Sequence, residues 1–376
     1  MLKIFLTGDN HIGLKYASHS EAAALCGKRI SAFQNMVSEA NRESCALFVI
    51  AGDLFENTYS VSKKDIKALL DTLSCFKGTV VVLPGNHDYY DEDVKLWQYF
   101  KDLMHLYDNI MLLSQCKPYP LRCGEEELVL YPAHCTSLHS APGENNLGWI
   151  KNETISAGPV YHIGIAHGAV EGETIDNEGA YFLMKRSELE SIPMDVWLIG
   201  HTHVPFPRDL KEDEYSIGER IFNAGTHVQT DVACNTDGEC FIIEIDESKQ
   251  VRAKKYVSGN LRFFRKSIAV SAGTLESSVS EALCGIGDDA VVDLILSGAV
   301  SAVEYEDRRR ILDDALSRFI EGTYNDAALS RLITKELIDA EFPETSFSAA
   351  FLNALSDEPK EAQLAYELLR KLKEGK

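Results

Sequence analysis

The sequence predicts an α/β fold, in which strands and helices alternate and the faces of the sheet are covered. Short apolar runs rich in Val, Ile, Leu and Phe are typical of strands buried on both faces. Segments whose apolar residues recur at helical spacing lie after each of the first three apolar runs. The predicted strands are 3–7, 46–51, 79–84, 161–166 and 196–199, and the predicted helices are 21–40, 62–73 and 94–105.

The chain divides into two predicted domains, residues 1–260 and residues 261–376. A polar segment at 206–219 is followed by antiparallel strands that complete the first domain, at 220–224, 240–246 and 251–256. The second domain contains no cluster of candidate ligands. Its predicted strands are 261–270, 290–296 and 299–305, and its predicted helices are 275–283, 307–319, one that starts near Asp326, and 361–373.

The composition is that of an ordinary globular protein, with 376 residues, 45% apolar and 25% charged. No apolar run is long enough to cross a bilayer, so no membrane association is expected. The nine cysteines are scattered without a Cys-x-x-Cys pair, which favours neither a disulfide framework nor a zinc ribbon and predicts a reducing cytoplasm. The net charge of −21 argues against a protein that coats nucleic acid unaided, but it does not exclude a nucleic-acid enzyme.

Polar side chains follow each of the five apolar runs. In α/β sheets, residues just beyond the carboxyl ends of the strands converge in one crevice, so we expect these side chains to meet. Asp, His and Asn without thiolates suit Mn, Fe or Zn better than Ca. The candidate ligands are Asp9, His11, Asp53, Asn86, His167, His201 and His203.

Each motif alone also has a simpler interpretation. Asp53 could be a helix N-cap, and Gly85-Asn86-His87 could be a turn. His167 alone could be a buried histidine of the core. All five motifs in this order, each after a predicted strand, instead indicate a centre for two divalent ions. Two ions about 3.5–4 Å apart clamp a phosphoryl group and supply a hydroxide nucleophile near neutral pH.

The motif series resembles the calcineurin-type metallophosphoesterase superfamily, and within it the SbcD-type DNA-repair exonucleases. The resemblance is specific over residues 1–260 and weak beyond them. It rests on Gly8-Asp9-Asn10-His11, Gly52-Asp53, Gly85-Asn86-His87-Asp88, Gly164-Ile165-Ala166-His167, Gly200-His201-Thr202-His203 and Asn223-Ala224-Gly225-Thr226.

The resemblance implies a β-sandwich core flanked by helices, with a smaller α+β capping domain at the carboxyl end. It implies two divalent ions, with manganese preferred and Fe, Zn or Mg as other choices. His87 would contact the scissile phosphate, and Asp88 would orient His87. One ion would be held by Asp9, His11, Asp53 and His203, and the other by Asp53, Asn86, His167 and His201.

The expected function is therefore a DNA nuclease that acts in repair, as a homodimer, with an SbcC-type ATPase. The alternative is a phosphodiesterase or phosphatase for a nucleotide or cyclic nucleotide, which the low basic content favours. An inert binding scaffold is disfavoured by the complete ligand set. One position departs from the family pattern, because Glu56 stands where the family often has His or Asp. Basic residues such as Arg29 are expected on a solvated helix face rather than at a DNA contact.

Overall fold

The computed structural model describes residues 1–141, 143–174 and 182–373. The chain forms two compact units, Met1–Arg262 and Phe263–Lys376. Among the described residues there is no helix long and apolar enough to span a bilayer.

The first unit is a mixed α/β structure, which confirms the predicted class. The five strands predicted before the motifs are present as β1, β2, β3, β7 and β8. The strands are β1 (Leu2–Thr7), β2 (Leu47–Ala51), β3 (Thr79–Leu83), β4 (Ile110–Leu112), β5 (Tyr119–Cys123), β6 (Glu126–Ala133), β7 (Tyr161–His167), β8 (Val196–Gly200), β9 (Ser216–Ile217), β10 (Ile221–Asn223), β11 (Glu239–Ile245) and β12 (Val251–Val257). The helices are α1 (Ala22–Arg42), α2 (Lys63–Leu73), α3 (Lys95–Met104) and α4 (Arg186–Ser191).

The described strands of this unit form two sheets, in the orders β4-β3-β2-β1-β11-β12-β9 and β10-β8-β7-β6-β5. Strands β1 to β4 are parallel, as are β6, β7, β8 and β10. Parallel pairing follows from the helices and loops that carry the chain back between strands. It places the carboxyl ends of β1, β2 and β3 at one edge, and those of β7 and β8 at one edge of the second sheet.

The two sheets pack face to face around a buried aliphatic cluster. Alternate residues of β1, such as Ile4 and Leu6, contribute to it from one sheet, and Ile163 and Leu198 contribute from the other. The intervening residue Phe5 instead packs with α1, α2 and α3 on the outer face of the first sheet. Both faces of the strands are therefore buried, which explains their nearly continuous apolar sequence.

The second unit is α+β. The strands β13 (Arg262–Ser271), β14 (Ala290–Val300) and β15 (Glu321–Arg331) form a sheet in the order β13-β14-β15, and β14 and β15 are parallel. Helices α5 and α6 pack against this sheet, and the last three helices share a separate small cluster. The helices are α5 (Leu275–Ala282), α6 (Ala302–Leu316), α7 (Lys335–Glu341), α8 (Phe347–Ala354) and α9 (Pro359–Lys373).

Two sequence predictions for the second unit are wrong. The strand predicted at 299–305 is the end of β14 followed by the start of α6, where Ser301 and Glu304 form a capping box. The helix predicted from Asp326 is β15. The apolar residues there divide between two clusters, because Leu329 packs on the sheet cluster and Ile333, in the connection before α7, packs on the helical cluster.

Candidate metal centre

The predicted ligands converge where the strand ends meet. Asp9 and Asp53 each lie two residues beyond their strand, and His167 is the last residue of β7. Asp9, His11, Asp53, Asn86 and His167 are buried, while His201 and His203 are partly exposed. The centre is thus built into the edge of the sandwich and reached from one side.

The backbone at four of these residues lies in the left-handed region. Non-glycine residues rarely adopt this conformation, which costs of order 1–3 kcal/mol and persists only where surrounding contacts impose it. Such strain accumulates at functional sites. The φ angles are 49° at Asp9, 45° at His11, 47° at Asp53 and 117° at His201.

Two motif glycines allow the ligands to approach each other. A Cβ atom on Gly52 would overlap the imidazole of His167, and one on Gly85 would overlap the carboxylate of Asp53. Glycine at these two positions is therefore a steric requirement of the cluster.

One group of ligand atoms surrounds the amide oxygen of Asn86. This Oδ1 atom lies 2.9 Å from Nε2 of His167 and 3.1 Å from Nδ1 of His201. Oδ2 of Asp53 is 3.3 Å from the same His167 Nε2. Two of the four predicted ligands of one ion thus contact the oxygen of a third, and the fourth, Asp53, contacts His167.

A second group lies on the other side of Asp53. Nε2 of His11 is 3.0 Å from Nε2 of His203, and Oδ2 of Asp53 is 3.9 Å from Nε2 of His11. Ligand atoms of Asp9, His11 and His203 all lie within 4.8 Å of one another, and so do those of Asp9, Asp53 and His167. The Asp53 carboxylate lies between the two groups, where a bridging ligand would be needed.

The donor set fits divalent ions such as Mn, Fe or Zn. Four imidazoles, two carboxylates and one amide oxygen bring their ligand atoms to a common region. Burial, and then the neighbouring His11, lower the pKa of His203 to about 3, so this ring is neutral and can donate a lone pair. Burial raises the pKa of Asp9 to about 6, which reflects the cost of a carboxylate held away from water. Bound cations would offset that cost.

His87 and Asp88 occupy the loop after β3. The backbone N–H of His87 donates to Oδ1 of Asp53 at 2.8 Å, and its ring Nδ1 lies 3.1 Å from the carbonyl oxygen of Glu56. The Asp88 carboxylate accepts the backbone N–H groups of Phe55 and Gly85, at 3.0 and 2.7 Å. Asp88 therefore ties two ligand loops together, and the group beside His87 Nδ1 is the Glu56 carbonyl. The predicted roles of His87 and Asp88 in the reaction stay predictions.

Burial, and then the charge of Asp53, raise the pKa of Asp88 to about 7. Burial also acts to raise the pKa of Asp53, but its electrostatic interaction and hydrogen bond with His167, and then its interaction with His11, outweigh burial and hold that pKa well below its usual range. Asp53 is thus the carboxylate that stays ionised, as a bridging ligand must.

The contact made by Glu56 was not predicted from the sequence. Its Oε2 lies 3.0 Å from Nδ1 of His11, the ring nitrogen that faces away from His203. The two atoms are at ion-pair distance without the alignment of a hydrogen bond, and a carboxylate beside Nδ1 favours the tautomer that leaves Nε2 for an ion. Burial acts to raise the pKa of Glu56, but the interaction with His11 outweighs burial and lowers that pKa.

The expectation of a solvated Arg29 is wrong. This side chain is 1% exposed, and its guanidinium donates to the carbonyl oxygens of Asn10 and Val228 and to the hydroxyl of Tyr16. It therefore supports the loop that carries Asp9 and His11. A sequence signal was available, because Arg29 lies four residues from Leu25 and from Phe33 on the buried stripe of α1.

Comparison with known proteins gives a family match that includes all seven candidate ligands. The family described as calcineurin-like phosphoesterase matches residues 2–205. Two solved structures are similar at low levels. The protein TT1561 of Thermus thermophilus is 11% identical with a TM-score of 0.38, and the match covers 67% of this chain and 97% of that one. A dimetal phosphatase from Danio rerio is 11% identical with a TM-score of 0.33, and the match covers 60% of this chain and 87% of that one. At TM-scores this low, the two structures add nothing to what the family match shows about the chain.

Proposed function

Because its residues 2–205 match that family over more than half of the chain, the protein belongs to the calcineurin-like phosphoesterases, and we propose that it is a two-metal phosphodiesterase acting on DNA. The observation that carries this proposal is the position of Asp53. Its carboxylate lies between two groups of imidazoles, 3.3 Å from His167 and 3.9 Å from His11. This is where one residue can serve two ions.

In this proposal two divalent ions, when bound, would supply Lewis-acid activation of the phosphoryl group and a hydroxide nucleophile. Asp9, His11 and His203 would hold one ion, Asn86, His167 and His201 would hold the other, and Asp53 would be shared by both. His87 binds the scissile phosphate and stabilises its developing charge. Its Nδ1 beside the Glu56 carbonyl leaves Nε2 as the atom that can face the phosphate.

The nuclease assignment and the proposed partners rest on the motif series that resembles SbcD-type enzymes. An SbcC-type ATPase and a second copy of the chain are the proposed partners. A surface suited to a partner protein is present on α9, where Leu364, Leu368 and Leu372 are exposed at four-residue spacing. Large exposed apolar residues in a row are typical of interaction sites.

A nucleotide phosphodiesterase or phosphatase is the second candidate function. The net charge of −21 favours it, because a long polyanion is bound mainly through Lys and Arg. The two functions share one metal centre and differ in the substrate that they accept.

The test is hydrolysis by the manganese-loaded protein of three substrates: a 3′-labelled DNA duplex, a DNA single strand and bis-p-nitrophenyl phosphate. We expect cleavage of the diester and of at least one DNA. Cleavage of the diester alone would favour the nucleotide enzyme, and no cleavage of any substrate would refute the proposal.

The Asp53→Asn variant should lose bound manganese in elemental analysis and should lose turnover by at least about a hundredfold. The exposed residue Asp102 on α3 provides a matched control, because Asp102→Asn makes the same chemical change far from any candidate ligand. Two retained ions in Asp53→Asn would contradict the bridging role.

A further inference from the structure

A cavity of about 630 Å³ lies in the first unit between the segments 203–208 and 230–239. His203 lines this cavity, and its Nε2 is also 3.0 Å from that of His11. The cavity therefore adjoins the candidate metal centre. Its volume is within the range of roughly 300–1,000 Å³ that is usual for small-molecule sites.

Arg208 is the cation of the cavity wall. It is exposed and makes no ion pair with any residue in the described part of the chain. Four other arginines of the first unit pair with carboxylates, as Arg186 does with Glu173 and Glu219. Three more, Arg29, Arg122 and Arg220, donate to backbone carbonyl oxygens. A guanidinium without a carboxylate partner is free to bind an anion, and its planar fork matches a phosphate.

The acidic side chains that line the same cavity are already engaged. Asp237 pairs with Arg262, Glu239 lies 3.6 Å from Lys255, and Asp231 accepts the backbone N–H of Ala233 at 2.7 Å. Among the described lining residues, Arg208 is therefore the cation without a carboxylate partner, while Asp231 is the carboxylate without a cation partner. Uncharged polar groups, such as those of Thr230 and Asn235, complete the wall.

We propose that this cavity binds the part of the substrate next to the scissile phosphate, and that Arg208 binds a second phosphate there. The inference rests on the proposed phosphodiesterase function and narrows its substrate to a nucleotide chain with at least two phosphates. A diester with a single phosphate would use the metal centre without using Arg208.

The experiment compares bis-p-nitrophenyl phosphate, which has one phosphate, with a thymidine trinucleotide, which has two. Arg208→Ala should lower kcat/KM for the trinucleotide about tenfold, the effect of losing a charged hydrogen bond at a partly exposed site. It should leave hydrolysis of the small diester unchanged. Arg208→Lys should give an intermediate loss, because the charge stays and the fork is lost. Arg122→Ala is the matched control, since Arg122 is also exposed but lies on β5 and does not line the cavity.

A binding measurement in EDTA separates this inference from the function on which it rests. A fluorescent trinucleotide should bind the metal-free protein more weakly after Arg208→Ala than after Arg122→Ala. Equal effects of Arg208→Ala on both substrates, or no effect on trinucleotide binding and hydrolysis, would overturn the role of Arg208. A wild-type protein that hydrolyses neither substrate would refute the phosphodiesterase, while the binding result would still decide whether the cavity recognises phosphates.

Discussion

Glu56 contacts two functional candidates at once, the ligand His11 and the phosphate-binding candidate His87. Its carboxylate is 3.0 Å from Nδ1 of His11, and its backbone carbonyl is 3.1 Å from Nδ1 of His87. Substitution would remove the first contact and leave the second. Groups that orient a ligating histidine in this way typically contribute roughly 10–100-fold to metal affinity.

We therefore expect Glu56→Ala to weaken manganese binding about tenfold, with a smaller loss for Glu56→Gln, which keeps an acceptor oxygen. Titration calorimetry with manganese measures this directly and does not depend on the substrate. Glu125→Ala, in the exposed turn between β5 and β6, should bind manganese like the parent protein. An unchanged affinity in Glu56→Ala would show that the contact does not orient His11.

At the level of single residues, the candidate ligands could be predicted from the sequence, because each follows an apolar run and has a metal-binding side chain. The sequence did not reveal Glu56 as a partner of His11, since that contact depends on how the loops after β1 and β2 lie side by side. The charge of Arg29 predicts a solvent-exposed side chain, but its position on the buried stripe of α1 places the side chain in the interior.

At the level of secondary structure, one carboxylate, that of Glu304, accepts backbone hydrogen bonds at the start of α6. Glu304 accepts the backbone N–H groups of Gly273, Leu275 and Ser301, at 2.8, 3.0 and 2.9 Å, and so joins α6 to the beginning of α5. Burial acts to raise its pKa, but these hydrogen bonds, that from Gly273 first, outweigh burial and lower the pKa to about 2.

A lowered pKa means that the ionised form stabilises the folded state. Its contribution is complete above the ordinary pKa of 4.5 and is lost as the pH falls toward about 2. Glu304→Gln should therefore reduce the free energy of unfolding of the second unit by about 1 kcal/mol at pH 7, as for other capping residues. The difference from the parent should shrink as urea unfolding is repeated at pH 4 and pH 3.

Glu306→Gln is the control for this prediction, because the Glu306 side chain is 72% exposed and has only a 4.0 Å pair with Arg331. It should change the unfolding free energy by less than about 0.5 kcal/mol. A Glu304→Gln effect that grows on acidification would contradict the assignment.

The core elements were predictable because strands buried on both faces carry an unmistakable apolar signal. The second unit was harder. The apolar residues from Leu329 to Ile338 look like one helical stripe, yet the first lies in β15, the last two lie in α7, and Leu332 and Ile333 lie in the connection before the Thr334 N-cap. The strand and the helix can be told apart only in the structure, where their apolar residues pack against different clusters.

At the level of the whole molecule, the boundary near residue 262 separates the unit with the candidate metal centre from the second unit. All predicted ligands lie in Met1–Arg262, and this unit has its own buried clusters on both faces of its first sheet. A fragment of residues 1–262 should therefore bind two manganese ions and hydrolyse bis-p-nitrophenyl phosphate within about threefold of the full chain, about 0.7 kcal/mol in activation free energy.

Elemental analysis and a colorimetric assay would check this fragment after circular dichroism has shown that it is folded. A folded fragment that binds manganese but has no turnover would assign part of the reaction to residues 263–376. The sequence could not decide whether residues 263–376 take part in the reaction, since the second unit carries no recognisable ligand motif.

The candidate ligands are spread from position 9 to position 203, and this spacing couples cation supply to the survival of the fold. An unfolded chain cannot bring them together, so any ion would bind almost entirely to the native state. At a hundredfold excess over its dissociation constant, one such ion shifts the equilibrium by about 2.7 kcal/mol through mass action. A cell short of the metal would then lose this protein to proteolysis as well as to inactivity.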